Sequence, residues 1–239
     1  MQLHQFRHSA FCEKVRLILA VKGLHADLIE VVPGMGQVAL FRLSGQRQVP
    51  VLVDGEEVLA DSTEIALYLE QRHPQPPLLP ADGAARARVL LMEDWADTAL
   101  AAGVRQALWQ AAVADPVLRS ALLPEATPSP LRRLVGALPG GVLAPLNDTV
   151  SEVINPLQAS QLHRNLDQLL VLVRHSSYLE GERLTLADLA VVAQLSLLLF
   201  AADAGAPLAG RGVRGFGDNP LYGPLFAWRD RILAELGRG

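Results

Sequence analysis

Residues Ser9 to Leu24 read S-A-F-C-E-K-V-R-L-I-L-A-V-K-G-L. Apolar residues fall at Phe11, Val15, Ile18 and Leu19, the i, i+4, i+7, i+8 spacing of a helix with one buried face. The spacing predicts a helix over Phe11 to Lys22, closed by Gly23 in the usual C-terminal position. Ser9 stands in front of it, a favoured capping residue, and Leu3 to Phe6 just upstream is a short strand candidate. A strand therefore feeds a helix whose free N–H groups and positive dipole end face whatever lies before Ser9.

Working outward, Asp27 to Val32 reads as a second strand and Val38 to Leu43 as a further, helical stretch. Val51-Leu52-Val53, Asp54-Gly55 and Val58-Leu59 form a hairpin signature, a turn dipeptide between apolar runs. Asp61 or Ser62 then caps a helix with Ile65, Tyr68 and Leu69 on one face. The order β-α-β-α-β-β-α implies a small mixed sheet flanked by helices, an α/β unit. His73 to Gly83, H-P-Q-P-P-L-L-P-A-D-G, carries four prolines and ends the alternation as a linker. The pattern is then helical: Ala84 to Ala114, Asn155 to Arg174, Leu186 to Ala202 and Leu221 to Leu236. Between the first two, Pro116 to Pro156 reads as an irregular connection with at most one short helix. Thr185-Leu-Ala-Asp188 is a capping box opening the most apolar helix. With Asp188 and Gln194 inside it, Leu184 to Ala202 is expected to be a buried core helix, its uninterrupted apolar part being too short for a bilayer crossing.

The 239 residues are half apolar and 19% charged, with a formal charge of −4. That balance fits a soluble globular protein and shows no basic excess of the kind nucleic-acid binding needs. Lys14 and Lys22 are the only lysines, a skew toward arginine that carries no functional weight. Cys12, the only cysteine, excludes an internal disulfide and a multi-cysteine metal site and suits a reducing compartment. The opening M-Q-L-H-Q-F-R-H-S lacks the apolar core of a signal peptide, so secretion is not expected.

A free thiol has a pKa of about 8.5 and is only slightly ionised at neutral pH. A hydroxyl hydrogen bond together with a helix N-terminus can supply the roughly 1.4 kcal/mol that one unit of acidification requires. Ser9 is thus a candidate thiolate stabiliser as well as a plain cap. Cys12, three residues on, could be an acidified nucleophile or a small hydrophobe beneath the turn. Val49-Pro50 precedes a strand; a cis bond there would turn the Val49 N–H and C=O outward, where an extended peptide could pair with them. Asp61 offers a carboxylate to an ammonium group, and Ser62 a hydroxyl and helix N–H groups to a carboxylate. Gln48 could reach a second carboxylate. Taken together, these residues suit a small, anionic, peptide-like thiol.

The sequence resembles the cytosolic glutathione transferase superfamily. The resemblance rests on Ser9 to Leu24, on Q-V-P-V-L-V-D-G (Gln48 to Gly55), and on L-A-D-S-T-E-I-A-L-Y-L (Leu59 to Leu69). It extends to E-D-W-A-D (Glu93 to Asp97) and Y-L-E-G-E-R-L-T-L-A-D-L-A (Tyr178 to Ala190). It implies a thioredoxin-like glutathione-binding domain over residues 1–80 and an all-helical domain over residues 84–239. It further implies a cytoplasmic, detoxifying homodimer that needs no metal, nucleic acid or membrane, with a second, apolar site between its domains for a small hydrophobic electrophile. By position, Ser9 matches the catalytic Ser or Cys of related classes. Gln48 and Val49, followed by Pro50, match contacts to the glycyl and cysteinyl parts of glutathione, and Asp61 and Ser62 match the holders of the γ-glutamyl end.

Two departures qualify the pattern. The thiol sits at the fourth place of the turn, which favours thiolate stabilisation by Ser9 over a covalent glutathionyl-enzyme. Pro116 to Pro156 matches no family pattern. The expected activity is therefore transfer of glutathione to an electrophile. A glutathione-dependent isomerase of the zeta type, a thiol–disulfide reductase using Cys12, and a non-catalytic binding module are the alternatives.

Overall fold

Four short strands, β1 (Gln2–Gln5), β2 (Asp27–Glu30), β3 (Val51–Asp54) and β4 (Glu57–Ala60), form one mixed sheet in the order β2-β1-β3-β4. The structure, a computed structural model, describes residues 1–32, 35–124, 127–138 and 156–238. β1 runs parallel to β2 and antiparallel to β3, and β3 turns back antiparallel into β4. The turn passes through Gly55 at φ +64°, a conformation that costs glycine nothing. Register sets Leu3 between Leu28 and Leu52, and Leu52 beside Leu59. Leu3 and Leu52 are fully buried.

Three helices accompany the sheet: α1 (Ala10–Val21), α2 (Met35–Ser44) and α3 (Ser62–Arg72). α1 ends as its glycine requires: Gly23 takes φ +63°, its N–H donating to Ala20 O at 3.1 Å while Leu24 N–H reaches Leu19 O at 2.8 Å. The proline-rich connection is clamped rather than loose. Glu70 accepts from the N–H groups of Leu78 (3.0 Å) and Leu79 (3.1 Å), and buried Lys22 donates to Glu70, His73 O and Pro76 O.

The rest is helical. α4 (Gly83–Trp95) runs through one π-helical turn, Ala96–Leu100, into α5 (Ala101–Ala114). α6 (Pro116–Ala121), α7 (Ser129–Ala137), α8 (Pro156–His175), α9 (Leu186–Leu198) and α10 (Gly223–Glu235) follow. α9 is apolar on all sides because it is enclosed on all sides, by α1, α4, α5 and α10. Its capping box is present, and the Asp188 carboxylate also accepts from Leu179 N–H at 2.7 Å, tying the preceding loop to the helix mouth. One apolar cluster runs from Leu3, Leu17 and Ile18 through Leu100 and Leu189 to Ile232, so sheet and helices share a core.

Three expectations need correction. The connection after α5 holds two helices among the described residues, α6 and α7, not at most one. Pro116 and Pro130 sit in the first turns of those helices, where a missing N–H costs nothing, and Asp115 caps α6 by accepting from Val117 and Leu118. The remainder of that segment, and Asn155, lie outside the described residues. Second, α9 stops at Leu198 rather than Ala202, because the chain turns into a bridge between Leu199 and Gly212 while Arg229 donates to the carbonyls of Leu195 and Leu199. Third, Phe11 does not share the buried face of Val15, Ile18 and Leu19; it is half-buried and lines a cavity.

Candidate functional site

Ser9 caps α1 from an extended conformation (φ −96°, ψ 124°). Its Oγ accepts from the Cys12 N–H at 3.4 Å, and its own N–H donates to Phe6 O at 3.0 Å. The loop is thereby folded so that Ser9 opens into a cavity of about 350 Å³. Gln48 and Val49 share that cavity with Ser9. Pro50 follows a cis peptide bond and is buried, outside the cavity wall.

Cys12 lies behind the turn, fully buried, its Sγ accepting from Phe6 N–H at 3.5 Å. Burial pushes the thiol's pKa up, outweighing the hydrogen bonds from Phe6 and Ser9 that would lower it. The thiol does not line the cavity.

Asp61 and Ser62 head α3, and neither lines the Ser9 cavity. Asp61 is exposed and sits at φ +87°, the only non-glycine residue at positive φ among the described residues. Its carboxylate caps α3, accepting from Thr63 (2.8 Å) and Glu64 (3.2 Å). A strained aspartate at an exposed helix mouth is the kind of outlier that gathers at ligand sites. Ser62 is buried and donates to Asp97 Oδ2 at 3.3 Å.

Beneath Ser62 lies a cluster that sequence reasoning missed. Lys14 of α1 is fully buried and donates to Glu93 at 2.5 Å, to Asp97, and to Thr63 Oγ1 at 3.3 Å. Thr63 in turn donates to Glu93 at 2.7 Å. Burial raises the Asp97 carboxyl above its ordinary range, and the neighbouring Lys14 only partly offsets this. The cluster pins the sheet unit to α4 and its π-turn, directly under the mouth of α3.

Also unforeseen are the cations and aromatics of the Ser9 cavity. Phe6 and Phe11 line it, with Arg47 from the loop before β3 and Arg105 from α5. The Arg105 guanidinium lies 5.9 Å from the Phe11 ring centroid, and that of Arg47 lies 5.7 Å from Phe41. Among the described residues no carboxylate lines this cavity. A second cavity, about 420 Å³, opens on another flank of Ser9 and is the opposite case: Arg7, Arg16 and Arg238 stand among Glu13, Glu30 and Asp203. There Arg238 pairs with Glu13 (2.7 Å) and Asp203 (2.6 Å), and Arg16 with Glu13. A larger cavity, about 1050 Å³, lies between the linker and the start of α4 and holds none of the expected site residues. Among the described residues no group of three or more His, Cys, Asp or Glu side chains could hold a metal ion. No local pattern around Arg105 marks it; its role exists only once α5 has packed over the β1–α1 loop.

A thioredoxin-like sheet unit joined to a helical unit, with a capped helix mouth facing the residue before a cis-proline strand entry, defines the glutathione transferase fold. Residues 3–77 match the family model described as glutathione S-transferase, N-terminal domain. Glutathione S-transferase theta-3 of Mus musculus is 29% identical over 230 residues, 95% of this chain and 79% of that protein. The maleylacetoacetate isomerase of Pseudomonas aeruginosa is 40% identical over 94 residues, 37% of this chain and 44% of that protein, less than half its length. A beta-etherase structure from Sphingobium sp. strain SYK-6 superposes with a TM-score of 0.69 at 22% identity, covering 98% of this chain and 94% of that one. Residues 3–77 thus carry a glutathione S-transferase N-terminal domain, and the chain as a whole has the glutathione transferase fold. No helix among the described residues is long and apolar enough to cross a membrane.

Proposed function

We propose that this enzyme transfers glutathione to a small electrophile, with Ser9 as the catalytic residue. Glutathione lies extended along the entry to β3. Val49 pairs with its backbone, Gln48 meets the glycyl end, and Asp61 and Ser62 hold the γ-glutamyl end at the mouth of α3. Its sulfur then sits before Ser9, where the hydroxyl and the free N–H groups of α1 stabilise the thiolate. The electrophile enters beside Phe6 and Phe11, and holding both reactants together provides much of the acceleration.

The observation that carries this reading is the cavity in which Ser9, Gln48 and Val49 meet two guanidinium groups and, among the described residues, no carboxylate. Such a wall favours a bound anion. The buried, weakly acidic Cys12 thiol speaks against the reductase alternative. The isomerase alternative keeps the similarity of one stretch to maleylacetoacetate isomerase in its favour; it uses the same thiolate and differs in its acceptor. Pairing of two copies and a cytoplasmic location belong to the same proposal.

The test is Ser9→Ala with an ultraviolet titration of bound glutathione. Loss of the hydroxyl should raise the thiol pKa in the complex by about one unit and cut turnover at neutral pH about tenfold. Glutathione affinity should stay close to wild type. Unchanged turnover and acidity would remove Ser9 from the mechanism.

A further inference from the structure

Among the described residues, Arg105 is the one that the helical unit supplies to the wall of the Ser9 cavity. Every cation lining the neighbouring 420 Å³ cavity stands among carboxylates, whereas Arg47 and Arg105 share a cavity that has none among the described residues. Arg47 adjoins Gln48 in the chain and is placed for the glycyl carboxylate of the tripeptide. That leaves the positive charge of Arg105 unanswered by glutathione. Its guanidinium stands 5.9 Å from the Phe11 ring centroid, over a half-buried aromatic that also lines the cavity. Phe6 gives the wall a second ring. A flat ring can lie against these aromatics, and a planar oxyanion on it can meet the guanidinium with two parallel hydrogen bonds.

We infer that Arg105 selects the second substrate, a small aromatic electrophile bearing a carboxylate or sulfonate rather than a neutral apolar one. The inference rests on the glutathione transferase reading and narrows its acceptor. In an aromatic substitution the glutathione thiolate, its proton released to solvent, forms a C–S bond to the ring carbon that carries the leaving halide. The ring holds the added electron pair until the carbon–halogen bond breaks, and the halide departs with that pair. Arg105 pairs with the fixed anionic group throughout and orients the reacting carbon toward the sulfur; it takes no proton.

The test compares chlorodinitrobenzene with chlorodinitrobenzoate, which share a leaving group and differ in one carboxylate. It also measures, by calorimetry, the binding of glutathione and of the two corresponding glutathione conjugates, which needs no turnover. For the wild type, kcat/KM for the benzoate relative to the neutral compound should exceed that ratio in Arg105→Gln by about tenfold, the equivalent of one good charge-assisted contact. Arg105→Lys should keep part of the preference. The carboxylated conjugate should bind the wild type more tightly than the neutral one, with a preference that weakens as salt rises. If Arg105→Gln lowers both acceptors equally, or the wild type binds both conjugates alike while still binding glutathione, the inference falls and the transferase reading stands. If neither glutathione nor either conjugate binds, both fall. Arg105 is exposed, so its substitution leaves the core intact.

Discussion

Lys14 offers the sharpest test of how the two units are held together. Its ammonium is fully buried between Glu93, itself 1% exposed, and Asp97. Lys14→Met keeps most of the stem's volume and removes the charge, leaving two carboxylates facing each other in the interior. Breaking a buried pair by removing one partner costs about 3–5 kcal/mol, because the charge left behind is uncompensated. Against a total stability of about 5–15 kcal/mol, that is large. Urea unfolding followed by tryptophan fluorescence, with Trp95 midway between Glu93 and Asp97 in the chain, reads it directly. The pH dependence supplies a second check. Burial raises the folded-state pKa of Asp97 above its ordinary value, so the folded protein binds that proton more tightly than the unfolded chain. The stability this gives is present below the unfolded pKa and is lost as pH rises through the folded one. Without Lys14 the Asp97 carboxyl should rise further. The deficit of the variant is therefore greatest at neutral pH and shrinks on acidification. Adding Glu93→Gln and Asp97→Asn to Lys14→Met should recover most of the loss. A deficit under about 1 kcal/mol at neutral pH, the scale of a surface pair, or one that acid does not reduce, would refute the account.

Asp61→Asn keeps an oxygen to cap α3 and a side chain tolerant of positive φ, so thermal stability should change little while the KM for glutathione rises about tenfold from the lost charge; an unchanged KM would take Asp61 out of the binding site. Arg119 is buried and its guanidinium donates to five carbonyls, those of Ala112 and Val113 at the end of α5 and of Val135, Gly136 and Leu138 around the end of α7. Arg119→Leu strips these acceptors of their partner and of a cation at two helix C-termini. Amide exchange across α6 and α7 should then quicken by a factor of about 30 or more, the equivalent of roughly 2 kcal/mol, and protection equal to wild type would show that Arg119 is dispensable.

What could be read from the sequence was what local physics decides. The α1 stripe of Val15, Ile18 and Leu19, its serine cap and glycine stop, the Asp54-Gly55 hairpin and the Thr185–Asp188 box each depend on residues a few positions apart, and each formed as expected. The helices after Asp115 were hidden because prolines read as breakers while serving as helix starts, and because the donor that secures them, Arg119, bonds partners up to 19 residues away. The scarcity of lysine seemed to carry nothing, yet both lysines are buried in ion pairs that fasten one part of the chain to another. Of the expected site, Ser9, Gln48 and Val49 converge, while Asp61 and Ser62 belong to an adjacent mouth. Arg47 and Arg105 announce nothing in their own neighbourhoods, since an arginine on a loop or a helix surface is ordinary until another segment folds against it.

The π-helical turn at Ala96–Leu100 gives this scaffold an angular offset. A π turn accommodates one residue more than a regular turn, and each residue turns an α-helix by about 100°. α4 can thus aim Glu93 and, at the junction, Asp97 down at Lys14, while α5 presents Arg105 over Phe11. Removing a single alanine from the junction would swing the guanidinium about a quarter-turn away from the ring while the anchor stayed put. The extra residue works as a phase shifter, setting one rod to grip at its lower end and to reach at its upper.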